Sequence, residues 1–352
     1  MKTYLVTGGA GFIGSNFIKY MLKKYKDIQI INVDKLTYAG NLENLKEIEN
    51  NPNYKFIKTD ICDEKSIKNI FKENNIDYVV NFAAETHVDR SIQNPNIFIK
   101  TNILGTINLL NCAKASWETQ NGFLNGKKFL QISTDEVYGS LKSTGSFTEA
   151  SPLDPHSPYA SSKASADLMV KSYYDTYKMP INITRCSNNY GPYQFPEKLI
   201  PLMIHNCLSK KSLPIYGDGL NVRDWIYVKD HCTAIELVIE KGKFGHVYNI
   251  GGHNERTNIH VVKTIIEYIH KNIDPSVTEN LIKYIADRKG HDRRYAIDPT
   301  KIQNELGWKA QTNFEIGIHQ TIRWYLENKA WLEHVTTGAY HDYYEKIYNI
   351  RR

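Results

Sequence analysis

No apolar run in the chain approaches the roughly 18 residues that a membrane-spanning helix needs. There are no internal repeats and no low-complexity tracts, so solenoids and disordered arrays are excluded. Cysteine is scarce: Cys62, Cys112, Cys186, Cys207 and Cys232 are odd in number and form no Cys-x-x-Cys pair. That argues against a disulfide framework or a thiolate zinc site and fits a reducing compartment. A basic block is also missing. The formal net charge is +6, but Lys and Arg are dispersed, so the footprint of a nucleic-acid-binding protein is absent. The same excess suits an anionic small molecule, or simply a lysine-rich solvated surface. The N-terminus "MKTYLVTGG" opens inside a strand pattern, without a charged-then-apolar leader. The expectation is a cytoplasmic protein that engages neither membrane nor nucleic acid and holds no metal.

What is present is enough for a sizeable core: 352 residues, 41% of them hydrophobic, fill one large domain or two smaller ones. In the first half, short β-branched runs alternate with longer amphipathic or capped stretches. The runs at 4–7, 28–33, 55–58, 78–82, 129–133 and 181–185 read as strands, and those at 13–24, 63–73, 95–116 and 159–177 as helices. Near-continuous apolar strands alternating with helices predict a parallel sheet covered on both faces, that is, a doubly wound α/β fold of the Rossmann type. From about residue 188 the texture turns to Pro, Gly and Tyr in "NNYGPYQFPEKLIP" and "LPIYGDGLNVRDW". This predicts a smaller C-terminal substrate-binding lobe over the carboxyl edge of the sheet. The division expected is 1–187 for the dinucleotide-binding domain, with segments returning to it at about 224–252, and 188–352 mainly for the lobe.

"VTGGAGFIGSNF" carries Gly8, Gly11 and Gly14 between a strand and a helix. A glycine turn there lets the backbone approach a pyrophosphate, which sits on the free N–H groups of the helix N-terminus. Asp34, 20 residues after Gly14, ends the second strand, where a carboxylate accepts hydrogen bonds from ribose hydroxyls. Its charge repels a 2′-phosphate, so NAD is expected rather than NADP. Asp60, in "KTDICD", is placed to meet the adenine.

Two acids, Asp135 and Glu136, follow the apolar run "KKFLQI" in "STDEVYG". In isolation such a pair reads as a solvated loop. Further on, "SPYASSKASAD" places Tyr159 and Lys163 four apart, on one face of a helix. An unperturbed tyrosine, with a pKa near 10, is a poor base, and an adjacent ammonium, together with the positive charge of an oxidised nicotinamide, is expected to lower it. A Tyr-x-x-x-Lys spacing is common by chance. Together with the glycine loop and Ser133–Thr134 at the end of the preceding strand, it becomes specific.

At this point the chain resembles the extended short-chain dehydrogenase/reductase family, which uses a Thr/Ser, Tyr and Lys group at an NAD site. "GGAGFIGSNF", "DKLTYAGN", "AAETHVDRSI", "STDEVYG", "SPYASSKASAD", "NNYGPYQFPEKLIP", "RDWIYVKDH", "GGHNERTN" and "DRKGHDRRYAID" resemble, in order, the motifs of its nucleotide-sugar 4,6-dehydratases. Two departures are visible: Lys289 stands where proline is usual and Thr86 where serine is common. Such an enzyme oxidises C4 of a hexose, removes water across C5–C6 and reduces C6. Elimination needs a base for the C5 proton and an acid for the C6 hydroxyl, which two carboxylates supply if their environments separate their pKa values.

The resemblance implies Asp135 as the acid, Glu136 as the base, Tyr159 as the base for the C4 hydroxyl, Thr134 as its orienter, and Lys163 as the tuner of Tyr159 and a ribose ligand. The NAD contacts implied are Gly8, Gly11, Phe12, Ile13, Gly14, Asp34, Lys35, Leu36, Thr37, Asp60, Ile61, Phe82, Ala83, Ala84, Glu85, Thr101, Tyr159, Lys163 and Asn189. Those implied for the nucleotide-sugar are Thr86, Thr134, Asn188, Lys198, Leu199, Pro214, Ile215, Tyr216, Arg223, Asn258, Asp287, Arg288, Lys289, Gly290 and His291. Guanidinium groups in this set suit a diphosphate, through paired charge-assisted bonds. The resemblance favours dTDP over UDP or CDP. It also implies a homodimer in which helices 95–116 and 159–177 pair across a two-fold, with Ile103, Ile107 and Leu110 as an apolar stripe. A 4-epimerase or decarboxylase of the same superfamily has no need of paired acids, and an NAD-sensing module needs neither them nor Tyr159 and Lys163.

Overall fold

The computed structural model describes residues 1–337, so the last part of the expected lobe, 338–352, lies outside the described residues. Seven strands form one sheet, ordered Val247–Ile250, Ile181–Cys186, Lys128–Thr134, Tyr78–Asn81, Lys2–Thr7, Ile28–Asp34, Tyr54–Lys58. Every neighbouring pair is parallel. The central strands are buried along their whole length, Lys128–Thr134 and Ile181–Cys186 completely. Burial on both faces admits mostly apolar residues, and the polar ones present, such as Gln131, Asn182, Thr184 and Arg185, are buried with them.

Helices cover both faces. Leu5, Ile31, Val79, Phe129 and Ile181 join Leu109, Trp117 and Val170 in one core layer. Val6, Ile30, Val80 and Leu130 join Phe17, Met21, Ile235 and Ile239 in the other. The segments expected to return are the Val228–Lys241 helix, packed on Phe12–Lys24, and the edge strand Val247–Ile250. Strand order reverses between Lys2–Thr7 and Tyr78–Asn81. A doubly wound sheet opens a crevice at the carboxyl ends of two such strands.

The later chain builds a second, smaller core around Met203, Ile215, Trp225, Val262, Ile266, Phe314 and Tyr325. A three-stranded sheet (Glu255–Thr257, Val222–Tyr227, Asn188–Tyr190) and a parallel pair (Leu213–Tyr216 with Ile282–Ile285) accompany it. The stretch expected as one helix over 95–116 is continuous but not uniform. Pro95–Phe98 passes through a π-helical segment, Ile99–Gly105, into the α-helix Thr106–Trp117. The widened turn carries Asn102, fully buried, which grips both backbone groups of Glu85 (2.8 and 3.0 Å) and donates to Ser162 Oγ at 2.8 Å.

Candidate active site

The glycine turn opens the crevice. Gly8 has φ +68°, and a Cβ there would stand 2.6 Å from Ala83 N; at Gly14 it would stand 2.5 Å from Gly8 O. Neither position accepts a side chain. Gly11 differs: its Cβ would meet only Gly8 O, at 3.3 Å. The protein does not need that space, which is where a ligand's phosphate would approach. The helix Phe12–Lys24 starts at Gly11 with no side-chain cap and no acid in its first turn, leaving its N-terminal amides for an anion.

Asp34 is buried, and burial raises its carboxyl above the ordinary value even though Ala10 N and Leu36 N donate to it at 3.0 and 2.8 Å. Leu36 itself does not line the cleft. Its part is the amide that holds Asp34, at φ +56°. Asp60 pairs with Lys35 at 2.7 Å. Burial works to raise the Asp60 carboxyl, but Lys35 and the Cys62 amide hold it below the ordinary value.

The remaining residues expected at the cofactor, from Gly8 to Asn189, all line this one cleft, with Thr86, Thr134, Asp135, Glu136, Asn188 and Lys198 at its far end. Thr134 caps a 3₁₀ turn over Asp135–Tyr138, and its Oγ1 accepts from Glu136 N at 3.3 Å. The turn sends the two acids to different places. Asp135 is 2% exposed and its Oδ2 finds no partner among the described residues. Burial, then the charges of Glu136 and Asp224, push its carboxyl well above the ordinary value, against a lesser pull from Arg223. Its protonated form is thereby favoured beyond that of an ordinary aspartate. Glu136 reaches both this cleft and the next.

Tyr159 and Lys163 share the inner face of the helix Pro158–Tyr177, both buried. The Thr134 hydroxyl works to lower the pKa of Tyr159. The lowering of Tyr159 is expected from Lys163 together with an oxidised nicotinamide; the protein's own groups, on balance, act the other way. Burial and the Glu136 charge push Tyr159 well above its usual value. Lys163 donates instead to Ile132 O at 2.7 Å, and burial lowers its own pKa.

A second cleft adjoins the first and holds Leu199, Pro214, Ile215, Tyr216, Arg223, Asn258, Arg288 and His291. Asp287, Lys289 and Gly290 do not line it. Asp287 instead bonds His291 Nδ1 at 2.6 Å, and Gly290 takes the loop through φ +64°. Arg223, 4% exposed, lies over the Tyr295 ring at 4.2 Å and donates to Asp292 O. The Arg288 Nε is buried without a partner among the described residues. Burial lowers His291 to about 4. Lys198, Arg223 and Arg288 make this the cationic end of the site, suited to a diphosphate.

Reasoning from sequence missed His87, Gln194, Phe195, Glu197, Cys186 and Trp225 as lining residues. Most lie inside motifs already quoted, and Cys186 ends a strand; the carboxyl end of every inner strand is the signal that finds it.

The model of the GDP-mannose 4,6 dehydratase family matches residues 5–321. A dTDP-glucose 4,6-dehydratase of Escherichia coli is 52% identical over 96% of this chain and 97% of its own length. Among solved structures, the Bacillus anthracis dTDP-glucose 4,6-dehydratase in complex with NAD superposes with a TM-score of 0.86 at 50% identity, covering 95% of this chain and 100% of that one. The Streptomyces venezuelae dTDP-glucose 4,6-dehydratase with NAD and TYD bound gives 0.87 at 44% identity, covering 95% and 99%.

Proposed function

Because the chain belongs to the nucleotide-sugar 4,6-dehydratase family, we propose that it is a lyase converting dTDP-glucose to dTDP-4-keto-6-deoxyglucose and water, with NAD as a cofactor regenerated in every cycle. The observation that carries this reading is the asymmetry of the two adjacent acids. Asp135 is buried with its carboxyl pushed above the ordinary value, while Glu136 opens onto both clefts. One site thus presents an acid and a base on the same turn, which elimination requires and a simple dehydrogenase or epimerase does not.

The glycine turn, the uncapped helix start and Asp34 fit the dinucleotide. When bound, NAD supplies the hydride acceptor for C4, the hydride donor for C6 and, oxidised, a positive charge. Thr134 orients the C4 hydroxyl and Tyr159 receives its proton. Glu136 takes the C5 proton, which the C4 ketone has made acidic, and Asp135 protonates the departing C6 hydroxyl. Lys163, fixed by Ile132 O, holds the inner end of the cleft. Arg223, Arg288 and Lys198 hold the diphosphate, while Pro214–Tyr216 line the base pocket. A thymine methyl contributes only about 1–3 kcal/mol of discrimination, so the preference for dTDP rests on the family relationship. Five free cysteines, four of them buried, fit a reducing cytoplasm. No helix among the described residues is long and apolar enough to cross a membrane.

We further propose a homodimer. Of the apolar stripe read from sequence, which by itself could equally face the sheet, Leu110 is buried and Ile103 and Ile107 are half-buried. The outward residues are Ile99 and Leu104, 48% and 55% exposed, with Leu168 at 61% on the neighbouring helix.

The test is incubation of the NAD-loaded protein with dTDP-, UDP- and CDP-glucose, followed by mass spectrometry. Loss of water from dTDP-glucose, with deuterium moving from C4 to C6, supports the reading. Stoichiometric NADH without water loss overturns it.

A further inference from the structure

The two rims of the dinucleotide cleft are tied together by groups that neither hydride transfer nor elimination uses. Tyr38 stands between Thr37 and Ala39 on the loop after the Ile28–Asp34 strand; both neighbours line the cleft. Glu197 stands on the opposite rim with Phe195 and Lys198. The Tyr38 hydroxyl donates to Glu197 Oε1 at 3.0 Å. Arg90, on the helix Val88–Gln93, lies over the Tyr38 ring at 3.7 Å, with its Nε 3.6 Å from Glu197 Oε2. The Phe195 ring meets that of Tyr38 edge-on at 5.8 Å. A second tie runs parallel: Asn16, on the helix that starts at the glycine turn, donates to Pro192 O at 2.9 Å.

Glu197 is 6% exposed. Burial raises its carboxyl, opposed by Lys198, Arg90 and the Tyr38 hydroxyl. Parting the rims breaks a hydrogen bond to a buried carboxylate, a cation–π contact and a ring contact at once. Two walls of a ligand cleft need no such joint for chemistry. They need one if the ligand must stay. A reaction that returns its hydride to the substrate gains nothing from exchanging the dinucleotide between turnovers.

We infer that Tyr38, Arg90 and Glu197 form a latch that closes the cleft over the bound dinucleotide and sets the rate at which it leaves. The inference rests on the proposed reading that NAD occupies this cleft. Tyr38 and Arg90 act as retaining residues and take no part in the reaction. Losing one hydrogen bond to a charged group corresponds to about 10–100-fold in an equilibrium.

The experiment loads the protein with radiolabelled NAD, chases with excess unlabelled NAD, and follows release in wild type, Tyr38→Phe and Arg90→Lys. Tyr38→Phe keeps the ring under Arg90 and removes only the hydroxyl. Release should quicken about 10–100-fold in Tyr38→Phe and measurably in Arg90→Lys. Turnover at saturating NAD and KM for the sugar nucleotide should stay at wild-type values, and the melting temperature should fall by no more than the few degrees that one hydrogen bond accounts for. Release at the wild-type rate from Tyr38→Phe overturns the latch. So does faster release that merely follows a general loss of thermal stability. A wild-type protein that binds no NAD overturns the underlying reading and the latch with it, whereas retention by wild type and variant alike overturns the latch alone.

Discussion

Replacing Asp135 with asparagine tests the protonation state on which the elimination depends. The amide copies the shape of a neutral carboxyl group but has no acidic proton to give. The Asp135 side chain is 2% exposed, with one oxygen unpartnered among the described residues and with Glu136 and Asp224 as the charges raising its pKa. A carboxyl raised on folding stabilises the folded state fully below the unfolded aspartate pKa of about 3.9, and this contribution is lost as pH rises towards the folded value. One bound proton is worth about 1.4 kcal/mol per pH unit across that window. Wild type and Asp135→Asn should thus be equally stable near pH 4. Above it the variant should gain on wild type at up to about 1.4 kcal/mol per pH unit, until the folded-state carboxyl itself titrates. Chemical unfolding of both proteins, substrate-free, at intervals from pH 4 to 8 measures the gap. In single turnover the variant should still form bound NADH and still exchange C5 hydrogen with solvent, while water loss slows about 10²–10⁴-fold. A stability gap that does not change with pH means that Asp135 is ionised in the fold and cannot be the acid. Wild-type water loss in the variant refutes the assignment equally.

Glu136→Gln should accumulate bound NADH, abolish C5 exchange and nearly stop water loss, whereas Tyr159→Phe should stop before any NADH absorbance appears; identical stalling points would refute the division of labour. Asp34→Asn should weaken NAD binding about tenfold, since it removes a charged acceptor that also braces Ala10 and Leu36, and unchanged affinity by calorimetry would place the ribose elsewhere. Leu168→Glu should shift the protein from dimer to monomer in light scattering while leaving the fold intact; an unchanged mass would move the interface off the Pro158–Tyr177 helix.

Much of the fold was legible because its signals are local. The central strands are buried on both faces and rich in β-branched and apolar residues, and the six runs read from sequence fall on six of the seven sheet strands. Gly14 is required by backbone contacts within a few residues, and Gly8 by its positive φ and by Ala83 just past the end of the neighbouring sheet strand. Tyr159 and Lys163 share a helix, so their spacing alone puts them on one face.

What the sequence left open depends on separations that it does not record. Asp135 and Glu136 are adjacent and chemically alike, and only the 3₁₀ turn beneath Thr134 buries one in the wall of the first cleft while setting the other onto both clefts. The direction of the Tyr159 shift in the protein alone was not legible for a related reason. The helix spacing shows that Lys163 is near, but not that Ile132 O claims its ammonium or that burial and Glu136 outweigh it. Tyr38, Arg90 and Glu197 lie 52 and 107 residues apart along the chain, on three elements that meet only where the strand order reverses. Motif spacing determines which chemical groups are available. Burial and long-range charge, which exist only once the sheet and the lobe have closed on each other, decide which of those groups carries a proton.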